Sequence, residues 1–258
     1  MISAILFDLD DTLVVEEPAA DAAFLATAQV AAGRHPLDAA GLARSARRRA
    51  RELWRAGPAH AYGEGTIGMS SWEALWCRWE GESPDVRACR DWADGYRTDA
   101  WARALADHGV VDPALAEELG RRFGAERRSR HTAFTDARPA LAELRRTHRL
   151  ALVTNGASCL QREKLAGAGL AEEDFDAVVI SGDVGVAKPR PEVFAHTLEL
   201  LGIGAAEAVM VGDSLKRDVR GAEACGIRGV WLNRTGARPP APNGHAEIAT
   251  LAALRPLL

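Results

Sequence analysis

The 258-residue chain has few of the features of membrane or disulfide-bonded proteins. No apolar run approaches the roughly 18 residues that cross a bilayer. The N-terminus has no basic stretch followed by an apolar segment, so no secretory signal is expected. The four cysteines, Cys77, Cys89, Cys159 and Cys225, are scattered, which suits reduced thiols better than disulfides or a zinc site. The formal net charge of −4 argues against general nucleic-acid binding. We expect a cytoplasmic protein that binds neither nucleic acid nor membrane.

Lysine is also rare in this sequence. Of the 32 basic residues, 3 are lysines, namely Lys164, Lys188 and Lys216, and the remainder are arginines. The number of arginines therefore says little about function here. Each lysine, in contrast, is more informative than usual.

What the chain does contain is an alternation of two kinds of segment. Short apolar runs, each too short for a helix, predict strands that are buried on both faces. These runs are residues 2–7, Leu150–Val153, Ala177–Ile180, Ala208–Val211 and Gly229–Leu232. Helical patterns lie between the later runs, and strand alternating with helix predicts right-handed crossovers and a parallel sheet, that is, an α/β fold. We expect the final segment, Glu247–Leu258, to form a last short helix.

An insert interrupts this alternation directly after the first predicted strand. Residues 16–133 show helical patterns and no convincing strand. Ser70 and Glu73 have the spacing of a helix capping box. Asp112 followed by Pro113 predicts the start of another helix. We therefore predict two domains, an α/β core formed by residues 1–15 and 134–258, and an all-helical domain formed by residues 16–133.

The insert is rich in tryptophan. It contains 6 of the 7 tryptophans of the chain. Trp72, Trp76 and Trp79 have the spacing of one helix face. The aromatic rings could form a wall against a substrate or fill the core of the insert, and we favour the core. The glycine-rich segment Gly57–Gly68 is predicted as a loop, either over an active site or as a simple connection between helices.

Polar residues follow the predicted strands in an ordered series. Because ligands bind beyond the carboxyl ends of parallel strands, we expect these groups to converge at one edge of the sheet. The segments are Asp8-Leu9-Asp10-Asp11-Thr12 after the first strand, Thr154-Asn155-Gly156 after the second, Lys188-Pro189 before the fourth, and Gly212-Asp213-Ser214 with Asp218 after the fourth. Each segment alone is also typical of an ordinary turn or helix start. Their ordered occurrence favours a functional site.

The carboxylates in this series predict a metal ion. Several ionised carboxylates at one edge of a sheet repel one another unless a cation lies between them. Mg²⁺ suits a site with a few carboxylates and a substrate phosphate. Asp8 and Asp10 would point to opposite faces if the strand continued, so the chain must turn there, and one of the two could bind the ion through its backbone carbonyl. Asp213 supplies a further carboxylate.

The ordered set resembles the haloacid dehalogenase superfamily, and the resemblance extends over the whole chain. The residues that match its four motifs are Asp8, Asp10 and Thr12 in the first, Thr154 in the second, Lys188 in the third, and Asp213 and Asp218 in the fourth. The position of the helical insert resembles that of the C1-type cap of this superfamily. The resemblance implies a Rossmann-like sheet with the strand order 5-4-1-2-3.

The resemblance also implies a role for each of these residues. Asp8 would attack phosphorus and form an aspartyl-phosphate. Asp10 would protonate the departing alkoxide and later take a proton from the attacking water. Mg²⁺ would be held by Asp8, the Asp10 carbonyl and Asp213. Lys188 would bring a fixed positive charge to the nucleophile and the phosphate.

The remaining motif residues are expected to bind the phosphate or to support the site. The residues expected at the phosphate group are Thr12, Thr154, Asn155, Gly156 and Lys188. Thr12 would also position Asp10. Asp218 would orient Lys188 or a metal-bound water, and Ser214 would be a second supporting residue. No role is assigned to Asp11.

Asp10 separates two activities of this superfamily. A haloacid dehalogenase expels halide, which needs no proton, whereas a phosphate ester expels an alkoxide, which does. We therefore predict a phosphoric monoester hydrolase that acts on a small phosphorylated metabolite. A phosphomutase of the same fold is the main alternative, and a 2-haloacid dehalogenase or a non-catalytic binding protein is less favoured. A homodimer is compatible with the sequence.

Overall fold

The computed structural model describes residues 2–237 and 244–258. The sequence also predicts a surface loop at Ala237–Gly244, and residues 238–243 of that loop lie outside the described part of the chain. The chain divides into two compact units. One comprises Met1–Val15 and Thr132–Leu258, and the other comprises Glu16–His131.

The unit Glu16–His131 is built from helices. Its helices are α1 (Glu17–Ala32), α2 (Ala39–Ala56), α3 (Ser71–Ala74), α4 (Pro84–Asp107) and α5 (Pro113–Arg128), with a π-helical turn at Ala61–Thr66. Helices α1 and α4 both pack against α2 and α5. The start of α5 is as predicted, because the Asp112 carboxylate accepts a hydrogen bond from the Leu115 amide. At the start of α3, the Glu73 carboxylate accepts from both the amide and the hydroxyl of Ser70.

Most of the tryptophans of this unit lie in its core. Trp54, Trp76, Trp79 and Trp101 are buried, in agreement with the interpretation as packing residues. The prediction that Trp72, Trp76 and Trp79 share one helix face was wrong, because α3 ends at Ala74 and Trp79 has a φ of 54°. A helix cannot continue through a residue in the left-handed region.

The glycine-rich segment before α3 is not an irregular loop, since part of it is π-helical. A Cβ atom on Gly63 would lie 2.4 Å from the ring of Trp54, so glycine is needed there for close packing. Whether this segment has a role at an active site remains a prediction.

The other unit contains a single parallel sheet. Its strands, in the part of the chain that the structure describes, are β1 (Ala4–Phe7), β2 (Arg149–Thr154), β3 (Ala177–Ile180), β4 (Ala208–Gly212), β5 (Arg228–Leu232) and β6 (Ala246–Ile248). The strand order is β3-β2-β1-β4-β5-β6, and every neighbouring pair is parallel. The α/β fold class and the order of the first five strands are therefore confirmed.

Strand β1 is central and is buried on both faces. Leu6 is in register with Ala151 on β2 and Met210 on β4. Successive side chains of a strand point to opposite faces. Accordingly, Ile5 belongs to the apolar cluster on one side of the sheet, and Leu6 belongs to the cluster on the other side. The continuous apolar run predicted this double burial.

Helices cover the sheet and connect its strands. They are α6 (Ala137–Leu144), α7 (Ser158–Gly167), α8 (Ser181–Val184), α9 (Pro191–Leu201) and α10 (Arg220–Glu223), with a π-helical turn at Leu215–Val219. No helix in the described residues is both long and apolar enough to span a membrane.

The C-terminal segment differs from the prediction. Glu247–Leu258 does not form a helix, because Ala246–Ile248 forms β6 and only short 3₁₀ turns follow at Leu251–Ala253 and Arg255–Leu257. Strand β5 would otherwise leave a row of unpaired backbone groups at the edge of the sheet. Pairing with β6 satisfies these groups, and three residues are too few for their alternation to be recognised in the sequence.

Candidate active site

The chain turns sharply after β1. The Asp8 amide still donates to the Val211 carbonyl across 3.0 Å, and the Val14 amide then donates back to the Leu9 carbonyl across 2.9 Å. Asp11 lies in this turn with a φ of 55°, a left-handed conformation that Asp tolerates better than most residues. The sequence predicts a turn after Asp8, and the structure has one. Asp11 adopts the left-handed conformation within this turn.

Lys188 connects two carboxylates at the end of the sheet. Its Nζ donates to Asp8 Oδ1 and to the Val153 carbonyl, both at 2.6 Å, and lies 2.8 Å from Asp218 Oδ1. The Asn155 side chain holds the Lys188 backbone, since its Oδ1 accepts from the Lys188 amide and its Nδ2 donates to the Lys188 carbonyl. Lys188 is 4% exposed, so this positive charge is held in a fixed position.

Three carboxylates form a cluster at this edge. One oxygen each of Asp8, Asp213 and Asp218 lies within 4.8 Å of the others. Gly212 makes room for the cluster, since a Cβ atom there would lie 2.3 Å from Asp218 Oδ2. The Ser214 amide donates to the same Asp218 oxygen at 2.9 Å. An all-oxygen set of this kind matches the preference of hard divalent cations such as Mg²⁺.

The electrostatics of the cluster agree with this interpretation. Burial, opposed by the Lys188 charge and reinforced by the charge of Asp218, raises the pKa of Asp8 to about 7. Desolvation by the surrounding protein, together with the charges of Asp8 and Asp218, raises the pKa of Asp213 to about 9. Burial lowers the pKa of Lys188, but the charges of Asp218 and Asp8 outweigh it and raise that pKa. Burial and the neighbouring carboxylates therefore disfavour ionisation of Asp8 and Asp213 more than the Lys188 ammonium favours it.

Thr12 links the first and fourth motifs. Its Oγ1 accepts from the Asp213 amide at 3.1 Å and donates to Asp8 Oδ2 at 3.5 Å. The Thr12 carbonyl accepts from Arg234 at 2.8 Å, and Trp231 Nε1 donates to the Asp213 carbonyl at 2.8 Å. These contacts place Thr12 between Asp8 and Asp213, whereas the sequence associated it with Asp10.

The three predicted phosphate-binding residues at the end of β2 make contacts within the protein. The Gly156 amide donates to Ser181 Oγ at 2.8 Å, and the Asn155 side chain is committed to the Lys188 backbone. Thr154 is 1% exposed, and its Oγ1 accepts from Gln161 Nε2 at 2.6 Å. That the phosphate contacts Thr154, Asn155 and Gly156 remains a prediction.

Two residues that were not predicted from the sequence contact Asp10. Lys164 Nζ lies 2.9 Å from both carboxylate oxygens of Asp10, and Gln161 Nε2 donates to Asp10 Oδ2 at 3.0 Å. Both residues lie on α7 and are buried. The rarity of lysine was a usable signal, because two of the three lysines, Lys164 and Lys188, contact motif aspartates.

Comparison with known proteins agrees with the fold and the motifs. The family model described as haloacid dehalogenase-like hydrolase matches residues 2–226. The chain belongs to this family. Among curated proteins, the phosphoserine phosphatase of Thermus thermophilus is 40% identical over 245 residues, which cover 95% of this chain and 93% of that protein. The family and this relative confirm the prediction of a phosphoric monoester hydrolase.

Solved structures share the fold over nearly the whole chain. The magnesium-bound HAD-hydrolase YfnB of Bacillus subtilis has a TM-score of 0.66 and 25% identity, covering 99% of this chain and 98% of that one. A 2-haloacid dehalogenase of Pseudomonas syringae pv. tomato has a TM-score of 0.61 and 26% identity, covering 100% of this chain and 98% of that one. Because a 2-haloacid dehalogenase shares this fold, the fold alone does not identify the chemistry, and the site residues must do so.

Proposed function

We propose that this protein is a Mg²⁺-dependent phosphatase that hydrolyses a small phosphate monoester through an aspartyl-phosphate on Asp8. The observation that carries the proposal is the environment of Asp8, whose carboxylate is buried, lies 2.6 Å from Lys188 Nζ and clusters with Asp213 and Asp218. Phosphoryl transfer needs a positioned nucleophile, a fixed positive charge and a site for a divalent cation. Asp8 would be the positioned nucleophile, Lys188 would be the fixed positive charge, and the carboxylate cluster would fit a divalent cation.

The proposed reaction has two steps. In the first, an Asp8 oxygen attacks phosphorus, the ester P–O bond breaks, and the departing alkoxide takes a proton from Asp10. In the second, water attacks the same phosphorus, gives a proton to Asp10, and the bond between phosphorus and Asp8 breaks. Inorganic phosphate leaves, and Asp8 and Asp10 return to their starting states. Halide needs no such proton, so Asp10 favours a phosphate ester over a haloacid.

The cation would be held by Asp8, Asp213 and the backbone carbonyl of Asp10. The raised pKa values of Asp8 and Asp213 support this fit, because they result from burial and from neighbouring carboxylates, and a bound cation would oppose both effects. When bound, the ion would neutralise the phosphoryl oxygens. Asp218 is engaged with Lys188 and Ser214, which suits a supporting role.

For the substrate we propose alkyl phosphates of small metabolites. The similarity to a phosphoserine phosphatase makes phosphoserine a first compound to test, beside sugar phosphates, nucleoside monophosphates and phosphoglycolate. The unit Glu16–His131 would serve as a C1-type cap that excludes bulk water during phosphoryl transfer. A cytoplasmic location and a homodimer remain predictions of the sequence.

Phosphate release from this panel tests the proposal. We expect Asp8→Asn to abolish release and to prevent formation of a hydroxylamine-sensitive phosphoprotein after acid quenching. Asp94→Asn is the control, because the Asp94 side chain is 93% exposed and lies in the helical unit. Turnover that persists in Asp8→Asn would exclude Asp8 as the nucleophile. Transfer between sugar phosphates without net phosphate release would instead identify a phosphomutase.

A further inference from the structure

Helix α7 carries two polar side chains on its buried face. Gln161 is 1% exposed and Lys164 is 0% exposed, and Leu160 and Leu165 are buried on the same helix. Residues three positions apart are neighbours on a helix surface, so Gln161 and Lys164 lie side by side. A buried ammonium is unfavourable unless it is paired. Asp10 provides this pairing, with both oxygens 2.9 Å from Lys164 Nζ.

The contacts of Gln161 determine the direction of the Thr154 hydroxyl. The Gln161 amide nitrogen can only donate hydrogen bonds, and it donates to Asp10 Oδ2 at 3.0 Å. The same nitrogen donates to Thr154 Oγ1 at 2.6 Å. The Thr154 oxygen is the acceptor in this contact, and its own proton remains available to a phosphoryl oxygen.

The oxygen of the Gln161 amide is held by packing and not by a hydrogen bond from any described residue. Gln161 Oε1 is buried and has no hydrogen-bond partner within the described residues. Gly156 has a φ of 141°, and a Cβ atom there would lie 3.0 Å from Gln161 Cδ. Glycine at position 156 therefore leaves the space that the Gln161 amide occupies, and the amide has little freedom to rotate away from Asp10 and Thr154.

We infer that Lys164 and Gln161 are positioning residues, which hold the Asp10 carboxylate and the Thr154 hydroxyl in the geometry that the reaction needs. The inference rests on the proposed function, in which Asp10 transfers the proton to the leaving group. Lys164 acts through Asp10, and Gln161 acts through both Asp10 and Thr154. Helix α7 thereby couples the proton-transfer group to a phosphate-binding group.

The leaving group distinguishes this role from a general structural one. An alkyl phosphate expels an alkoxide that needs the Asp10 proton, whereas 2,4-dinitrophenyl phosphate expels a phenolate that leaves without one at neutral pH. In Lys164→Met we expect single-turnover cleavage of the best alkyl ester to fall by roughly 100-fold, while the dinitrophenolate burst changes by less than about 3-fold. Lys164→Arg, which keeps the charge, should recover part of the alkyl cleavage. Equal losses on both esters, or unchanged alkyl cleavage, would overturn the role of Lys164.

Gln161→Met tests the connection to Thr154. This variant keeps the side-chain length and removes the amide, so we expect the same selective loss on the alkyl ester. In addition, inhibition by inorganic phosphate should weaken by about 10-fold, because the Thr154 hydroxyl is no longer oriented. Lys164→Met should leave phosphate inhibition unchanged. Phosphate inhibition that is unaltered in Gln161→Met would overturn the Thr154 part of the inference.

Two further variants separate the possible outcomes. Leu165→Met alters a buried residue of the same helix and should retain both activities. Asp10→Asn should show the ester selectivity expected of Lys164→Met. If Asp10→Asn shows this ester selectivity but Lys164→Met and Gln161→Met do not, the positioning inference fails and the proposed function stands. If Asp10→Asn is fully active, or the wild-type protein hydrolyses neither ester, the proposed function fails as well. Circular dichroism shows whether each variant folds. If Lys164→Met does not fold, the alkyl and dinitrophenyl esters are compared in Gln161→Met instead.

Discussion

Lys188 donates a hydrogen bond from its ammonium to Asp8 Oδ1 across 2.6 Å at the buried end of the parallel sheet. The same ammonium lies 2.8 Å from Asp218 Oδ1. Without it, two buried carboxylates would face each other with no positive charge between them. The ion pair therefore contributes both to the stability of the site and to the proposed stabilisation of the phosphoryl group.

Removal of this charge should affect both activity and stability. In Lys188→Met we expect turnover to fall by at least about 100-fold, because a fixed positive charge at the phosphoryl group is lost. The unfolding free energy in urea should decrease by about 3–5 kcal/mol at pH near 8, because two buried carboxylates lose their partner. Lys216→Met, at an exposed lysine, is the matched control. Near-normal turnover in Lys188→Met would contradict the assignment.

The stability of the metal-free protein should depend on pH through Asp8 and Asp213. Their folded pKa values, about 7 and about 9, lie above the unfolded value of 3.8. The folded state therefore binds protons that the unfolded state releases, and stability falls as pH rises through this range. We expect the melting temperature in EDTA to decrease between pH of about 5 and about 9.

Addition of Mg²⁺ should oppose this decrease. The ion would replace the protons, so its stabilising effect should be larger at alkaline pH than at acidic pH. Asp213→Asn should reduce both the pH dependence and the stabilisation by Mg²⁺. Scanning fluorimetry with and without EDTA measures both effects. A melting temperature that Mg²⁺ leaves unchanged at every pH would argue against the metal site.

A second ion pair should make a pH-dependent contribution of opposite sign. Arg234 donates to both oxygens of Asp136 and also to the Thr12 carbonyl, so the pair braces the turn that carries the first motif. Burial raises the pKa of Asp136, but the hydrogen bonds from Arg234 and the Leu251 amide outweigh it and lower that pKa below 3.8. The stabilisation is therefore complete above the unfolded pKa and is lost as pH falls through the folded value.

Asp136→Asn tests this contribution. We expect a loss of about 1–3 kcal/mol in unfolding free energy at neutral pH, because a charged hydrogen-bond acceptor is removed. The difference from the wild type should shrink as pH falls from about 4 through the lowered folded pKa, below which Asp136 is protonated in both states. Urea denaturation at the two pH values measures it, with the exposed Asp183→Asn as control. A difference that does not vary with pH would indicate that packing, and not charge, is responsible.

The helical unit contains a buried ion pair that should show strong coupling. Arg127 donates to Glu16, and the two residues are 0% and 3% exposed. Each of Arg127→Met and Glu16→Gln should lower the unfolding free energy by about 3–5 kcal/mol, because each removes one charge of a buried ion pair. The double variant should lose less than the sum of the two. Chemical denaturation followed by tryptophan fluorescence measures the unfolding free energies of the wild type, the two single variants and the double variant. Additive losses would show that the two charges do not interact.

Much of the sheet could be predicted from local patterns. The run Ile5-Leu6-Phe7 predicts a strand buried on both faces, and its place at the centre of the sheet agrees. The C-terminal strand β6 was missed, because three residues carry too short a pattern and their pairing depends on the free edge of β5. The helix predicted through Trp72 and Trp79 does not form, because Trp79 has a left-handed backbone that hydrophobic periodicity cannot reveal.

The fold class, the family and the order in which the acidic, hydroxyl and lysine motifs follow the strands could all be predicted from the amino-acid sequence. These properties are local, since strand burial and the residues that end each strand are written in consecutive positions. The partners of the charged groups, in contrast, depend on how the elements pack in three dimensions. Lys164 and Asp10 are 154 positions apart, and their contact depends on which face α7 turns toward the sheet. The rotation of a helix in its packed position is set by the whole core, and for this reason the pairing of Asp10 with Lys164 could not be read from the motif alone.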